Sequence, residues 1–374
     1  MKIATVEVLP LVAPLDEESQ RTALGGRAQA ALVLVIVTTD DGIVGYGEAL
    51  ARYSLRSYVS IIEDLLAPIV IGQDPFEVER LWQSMFRVFT GKAGGVLLEA
   101  VAAVDIALWD IMGKAAGQPV HRLLGSMGRE RIAAYASSVS WGRDETAIAQ
   151  TKAALAQGFT MIKIKVGPPV TTALARARLV REVAGDEVQL CADGNCAFDF
   201  DDALALARGL ADLDYFWLEE PIPVEDIEGY HRLRLHCPLR LAAGESEHTV
   251  FGCRELIARG SVGVIQPDVA RSGGITETRR IAALGYAYGV PFAPHVGFSG
   301  VVCVAASLQL CAAAPNFLTF ECMTFPNPLR EQLATANLGG PGSLIDGAVV
   351  MPIAPGLGIE IDQAAIQKFV VHSK

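Results

Sequence analysis

The sequence predicts an α/β protein organised around a parallel barrel, with a mixed α+β region ahead of it. Three observations predict it. From about residue 130, short apolar runs alternate with Ala-rich amphipathic stretches, and eight such runs can be counted. Successive runs end in acids or a histidine rather than fading into loops. The ends also keep step: Glu219 lies 26 residues beyond Asp193, and Glu245 lies 26 beyond Glu219, about one strand–helix unit of a barrel.

Taken in order, the first part reads as strands at 2–11, 28–38 and 43–48, with a turn at "TTDDG" (38–42). Apolar residues at helical spacing follow through 56–71, 75–90 and 96–117. The barrel strands are then "RIAAYA" (131–136), "MIKIKV" (161–166), "VQLCAD" (188–193), "YFWLEE" (215–220), "LRLAAGE" (239–245), "VGVIQPD" (262–268), "VPFAPH" (290–295) and "FLTFE" (317–321). Amphipathic stretches such as "DDALALARGLADL" (201–213) separate them. Beyond about residue 325 the pattern gives way to Gly- and Pro-rich chain ending in a short apolar tail.

Bulk properties narrow the function. The 374 residues are 51% hydrophobic, enough for a large core and two domains. A net charge of −11 and the lack of a basic patch argue against nucleic acid. The longest apolar run, "AQAALVLVIV" (28–37), is half a bilayer span, and "MKIATVEVLPLV" alternates like a strand rather than a signal peptide. Seven scattered cysteines without a CxxC pair read as buried thiols in a reducing compartment. A cytoplasmic protein without a membrane partner is the expectation.

The chemistry lies at the strand ends. Asp193, Glu219 and Glu245 would meet at one mouth of the barrel, followed by Asp268, His295 and Glu321 at the next three ends. One strand-end acid is ordinarily a helix cap; six consecutive acid or imidazole ends are not explained that way. Three carboxylates crowded together repel and raise one another's pKa unless a cation neutralises them. Oxygen-only donors suit a hard ion, and magnesium fits best. In "MIKIKV", Ile162, Ile164 and Val166 face the helices, so Lys163 and Lys165 point into the barrel. Next to a divalent cation a lysine pKa should fall, which would free an amine to act as a base. Asp268, ending the strand beside that of His295, would fix the tautomer of the ring and raise its basicity.

An ordered set of motifs now resembles a known family. "GIVGYGEA" (42–49), "AVDIALWDIMGKAAGQPVHRLLG" (103–125), "KIK", "DGN" (193–195), "WLEEP" (217–221), "AGE" (243–245), "PDVARSGG" (267–274) and "PH" (294–295) are similar, in this order, to the enolase superfamily, mandelate racemase subgroup. The resemblance implies a modified TIM barrel, (β/α)7β, at 126–330. It also implies a capping domain formed by residues 1–125 and the C-terminal segment 331–374. By position it makes Asp193, Glu219 and Glu245 ligands of one Mg2+ per subunit, with Glu220 behind them. Lys165 becomes the base on one substrate face, with Lys163 beside it, and the Asp268–His295 pair serves the other face. Glu321 would hydrogen-bond an enolate oxygen, and Asn195 would contact the group next to the substrate carboxylate. A homo-oligomer, dimer to octamer, acting on a small-molecule carboxylate is implied too.

Within that family the muconate-lactonising and dipeptide-epimerase branch carries lysine where Asp268 stands, and usually aspartate where Glu245 stands, so this chain departs from it. Three outcomes of one enolate then remain: dehydration of an acid sugar, cycloisomerisation of a sugar lactone, and racemisation of a 2-hydroxy acid. The segment "ECMTFPNPLREQL" (321–333) is similar to a galactarolactone cycloisomerase branch. The segments "LDEESQRTALGGR" (15–27) and "LARYSLR" (50–56), which by resemblance close over the substrate, carry Arg21, Arg27, Arg52 and Arg56. Such polar loops favour a polyhydroxylated acid over an aromatic one, with dehydration ahead of the other two reactions.

Overall fold

The computed structural model describes residues 1–89, 91, 93–335, 338 and 343–371. The last residue of the expected helix 75–90, and several residues of the segment 331–374, lie outside these.

The N-terminal strands β1 (Ile3–Pro14), β2 (Gln29–Thr39) and β3 (Val44–Ala49) form an antiparallel sheet in the order β1–β2–β3. The helix Val96–Ala115 lies against β3 with most of its surface buried. Its small residues allow a very close approach. A Cβ on Gly47 would stand 1.7 Å from the carbonyl oxygen of Ala103, and one on Gly45 would stand 2.3 Å from that of Ala107. Only glycine fits at either place.

The barrel strands are β4 (Arg131–Val139), β5 (Met161–Lys165), β6 (Gln189–Asp193), β7 (Tyr215–Glu219), β8 (Arg240–Ala243), β9 (Val264–Ile265) and β10 (Phe320–Met323). They run parallel in sequence order, and β10 closes the ring by pairing with β4. The seventh place is taken by residues 290–295. These connect only through single bridges, Phe292 to Ile265 and Phe317, and His295 to Asp268. Pro291 and Pro294 remove two amide donors from that stretch, so no regular ladder forms there. The eighth strand starts at Phe320, later than the expected 317, where Phe317 instead makes the bridge to Phe292. Seven helices join the eight places, from Asp144–Ala156 to Val301–Ala313. This is a modified TIM barrel, (β/α)7β, with an α+β cap. The tail returns to that cap, where Leu11 bridges Val370 and the Val371 amide donates to Pro10 O at 3.0 Å.

Inside and outside follow strand parity. Tyr135, Met161, Cys191, Trp217, Ala242, Val264 and Ala293 fill the barrel interior. Ile162 and Ile164 instead join the core beneath the helices. Two buried carboxylates fasten the cap to the barrel. Glu48 accepts from the amides of Gly300 (2.6 Å) and Cys303 (3.2 Å), at the start of helix Val301–Ala313. Asp105 accepts from the amide (2.9 Å) and hydroxyl (2.5 Å) of Thr276, at the start of helix Ile275–Ala287. Each satisfies helix N-terminal donors that would otherwise be orphaned. None of the seven cysteines forms a disulfide, and six of them are buried. No helix among the described residues is long and apolar enough to cross a membrane.

Candidate functional site

The period-two pattern of β5 turns Met161, Lys163 and Lys165 inward. Register sets Lys165 beside Asp193, and Asp193 beside Glu219. Glu245 stands two residues past the end of β8, after Gly244 at φ 132°, a backbone conformation that favours glycine. Asp268 and His295 face each other in a bridge between the sixth and seventh places, and Glu321 lies in β10. The structure therefore brings all the strand-end residues to one end of the barrel, as the sequence predicts.

Their charges are matched closely. Lys163, with no exposed surface, holds its Nζ 2.5 Å from Glu219 Oε1, 2.8 Å from Glu321 Oε1 and 3.7 Å from Asp193 Oδ2. Lys165 Nζ donates to Asp193 Oδ2. Burial opposes the charge on Lys163, but Glu219 and Glu321 outweigh it and hold the ammonium well above its ordinary pKa. The lowered lysine pKa expected from the sequence belongs to a site that also holds a divalent cation, which is a different balance of charge. Here the carboxylates around Lys163 outnumber it, and they decide the sign.

Burial, countered in part by Lys163 and reinforced by Asp193, Glu321 and Glu245, pushes Glu219 up to about 7. Glu219 also accepts from Gln266 Nε2 at 2.7 Å and Trp217 Nε1 at 3.2 Å. Asp193 is lowered: burial opposes, and Lys165 and Lys163 prevail. Burial first, then Glu245 and Asp193, raise Glu220 well above the usual carboxylate range.

His295 Nδ1 lies 2.7 Å from Asp268 Oδ2, while Nε2 lies 3.1 Å from Glu245 Oε2 and 3.8 Å from Glu321 Oε2. Burial works against protonation of the ring, but Glu245, Glu321 and Asp268 bring its pKa up to about 9. Glu321 accepts from Ser137 Oγ (2.7 Å) and the Val296 amide (2.8 Å). Burial notwithstanding, Lys163 and His295 hold its carboxyl well below the usual range. Both of its oxygens thus accept from donors of this chain, Oε1 from Ser137 and Oε2 from the Val296 amide.

Among the described residues no three His, Cys, Asp or Glu side chains stand ready-made around a metal position, because Asp193 and Glu219 are turned onto lysines. The donor set nevertheless fits a hard cation. Asp193, Glu219 and Glu245 offer only oxygen, their mutual repulsion contributes to the raised pKa of Glu219, and two nearby buried oxygens, Glu220 Oε1 and Asn195 Oδ1, have no hydrogen-bond partner.

A cavity of about 170 Å³ opens over this cluster, lined by Lys165, Asn195, Glu245, His295 and Glu321. Arg27 and Arg52 from the cap loops complete its wall, whereas Arg21 and Arg56 do not line it. Sequence reasoning missed Ser138, Phe298, Met323 and Phe325, which also line it. Parity counted onward from Tyr135 could have found the inward Ser137, but no local signal marks the loop residue Phe298. A larger cavity, about 570 Å³, lies at the other end of the barrel among Asp186, Arg234 and Arg240. It contains none of the strand-end residues, so chemistry rather than size identifies the site.

Residues 4–125 match the mandelate racemase/muconate lactonizing enzyme N-terminal domain, and residues 146–365 match the enolase C-terminal domain-like family. The chain belongs to the enolase superfamily. Within it, the relatives and structural neighbours place the chain in the mandelate racemase subgroup. It is 34% identical to a D-galactarolactone cycloisomerase of Agrobacterium fabrum, over 99% of each chain. It is 33% identical to a D-galactonate dehydratase of Ralstonia pickettii, over 88% of each. Among solved structures, an enolase superfamily member from Polaromonas sp. JS666 superposes with a TM-score of 0.92 at 33% identity, covering 100% of this chain and 98% of the other. A racemase from Streptomyces coelicolor with bound magnesium gives 0.90 at 27% identity, covering 99% and 100%. Members of this superfamily pair a Lys or His base with magnesium; here Lys165 and His295 both line the cavity.

Proposed function

We propose that this superfamily enzyme removes the α-proton of a sugar-acid carboxylate and eliminates the β-hydroxyl, giving a 2-keto acid. The observation that carries the reading is the arrangement of two proton-transfer groups about one cavity. Lys165 enters from the second strand and His295 from the seventh, with Asp193, Glu219 and Glu245 between them in strand order. Magnesium held by those three carboxylates would supply positive charge to the substrate carboxylate as negative charge builds on it.

The protein groups do the rest. Lys165 takes the α-proton, and the C–H electron pair moves into the carboxylate to give an enolate. Lys163, fixed in the charged state by Glu219 and Glu321, puts a second cation beside that charge. The ring of His295, its Nδ1 held by Asp268, directs Nε2 into the cavity and gives a proton to the departing β-hydroxyl, which leaves as water. The enol so formed ketonises in solution. Glu321 keeps Lys163 and His295 in place, and Asn195 faces the substrate. The named relatives support two outcomes of this enolate, since a dehydratase and a cycloisomerase match at similar identity. In the second, the ring oxygen of a lactone is expelled in place of the hydroxyl.

The test is a panel of sugar mono- and diacids and their lactones, incubated with Mg2+ in D2O and followed for α-deuterium incorporation and 2-keto acid. Magnesium-dependent release of keto acid from an open-chain sugar acid is the expected result. Turnover that survives exhaustive chelation would sink the mechanism.

A further inference from the structure

We infer that Arg27 and Arg52 form a second anion subsite, so that the substrate is an open-chain sugar diacid whose far carboxylate they bind. This rests on the enolate reading above and goes beyond it by naming the substrate class. The two guanidiniums come from separate loops of the cap, yet both lie against the ring of Phe298, with their central carbons 5.3 Å and 5.9 Å from its centroid. Arg27 also stacks on Tyr53 at 4.6 Å. Arg52 reaches deepest: its Nη2 lies 3.0 Å, and His295 Nε2 3.1 Å, from where a Cβ on Gly297 would stand. It therefore hangs beside the ring that serves the substrate's reacting carbons.

Among the described residues neither arginine forms an ion pair with a carboxylate, although the same loop carries Asp16, Glu17 and Glu18. Glu18 is spent on Arg143 and Thr146 instead. Arg52 Nε is buried with no hydrogen-bond partner. Burial, and next the neighbouring Arg52, lower the pKa of Arg27, so the pair sits together at a cost. Two adjoining guanidiniums without an internal anion, facing a small cavity, match a planar carboxylate that can accept from both. The reacting carboxylate belongs at Lys163 and the acidic cluster, so the anion at the arginines is a second one. A monolactone would place an uncharged carbonyl there, leaving the two guanidiniums without an anion.

The experiment compares kcat/KM of the magnesium-loaded enzyme on matched six-carbon sugar diacids and monoacids, with the monolactones and 6-phosphorylated monoacids as further arms. The best diacid should exceed its matched monoacid by about 100-fold, because a subsite built for a charge rejects the analogue that lacks it. Arg52→Met and Arg27→Met should collapse that ratio toward unity, chiefly through KM. Arg52→Lys and Arg27→Lys, which keep charge but lose the planar fork, should restore part of it. If a methionine variant does not fold, the wild-type ratio and the lysine variants still decide. A preference for monoacids, monolactones or phosphorylated acids, or loss of both activities in equal proportion, overturns the diacid assignment alone. No α-proton exchange with any sugar acid overturns the enolate reading together with it.

Discussion

Asp268 holds His295 by a single 2.7 Å contact between Oδ2 and Nδ1, and the Ala270 amide, 2.8 Å from Oδ1, holds Asp268 in turn. The ring is thereby fixed with Nε2 toward the cavity. Asp268→Asn keeps the shape but can stabilise the wrong tautomer. We expect kcat to fall by about 10²–10⁴-fold with KM little changed, as for loss of an acid–base group. A near-normal kcat in steady-state assays would show that the pair does not orient the acid.

Glu219 is both a candidate magnesium ligand and the closest partner of Lys163. Glu219→Gln should abolish turnover and weaken Mg2+ binding measured by calorimetry, because one of three charged donors is lost. It also strips a partner from a fully buried lysine, so thermal stability without metal should fall by roughly 3 kcal/mol or more. Unchanged magnesium affinity would remove Glu219 from the ligand set.

Lys165 and His295 should divide the labour. In D2O, Lys165→Ala should lose α-proton exchange altogether, whereas His295→Asn should retain exchange yet fail to release keto acid. Loss of exchange from opposite stereoisomers in the two variants would instead mark a racemase-like, two-base reaction. Exchange at wild-type rates in both would show that the bases have been misassigned.

Glu48 gives a pH dependence. Burial, eased in part by the Gly300 and Cys303 amides, raises its pKa from 4.5 to about 7. Below pH 4.5 it is neutral both folded and unfolded. Between 4.5 and 7 the unfolded chain ionises first, so this residue's contribution to stability is lost as pH rises, by roughly 3 kcal/mol in total. Glu48→Gln should flatten that part of the urea-midpoint profile. An unaltered slope between pH 5 and 7 would show that Glu48 is not its source.

Much of the site was legible because strand parity is a local property with a global meaning. Lys163 and Lys165 alternate with isoleucines that must face helices, so the lysines had to face inward, and they do. The step of 26 residues likewise carried Asp193, Glu219 and Glu245 to one mouth. What escaped depends on relations that no short window contains. That Lys163 meets Glu219, Glu321 and Asp193 at once, from three other strands, is visible only in the closed ring. The irregular seventh strand was written in Pro291 and Pro294, whose missing amides matter only once neighbours are known. Phe298 becomes a shelf for two arginines only when three loops meet.

Glu48 and Asp105 clasp barrel helices that begin just beyond the sixth and seventh strand positions, on the same side as the cavity. A cap anchored at both points has little freedom to swing away as a unit. The two loops that carry Arg27 and Arg52 form the part of the cavity wall that the cap contributes. Substitutions in those loops would reshape that wall while leaving the strand-end cluster of Lys165, Asp193 and His295 beneath it untouched.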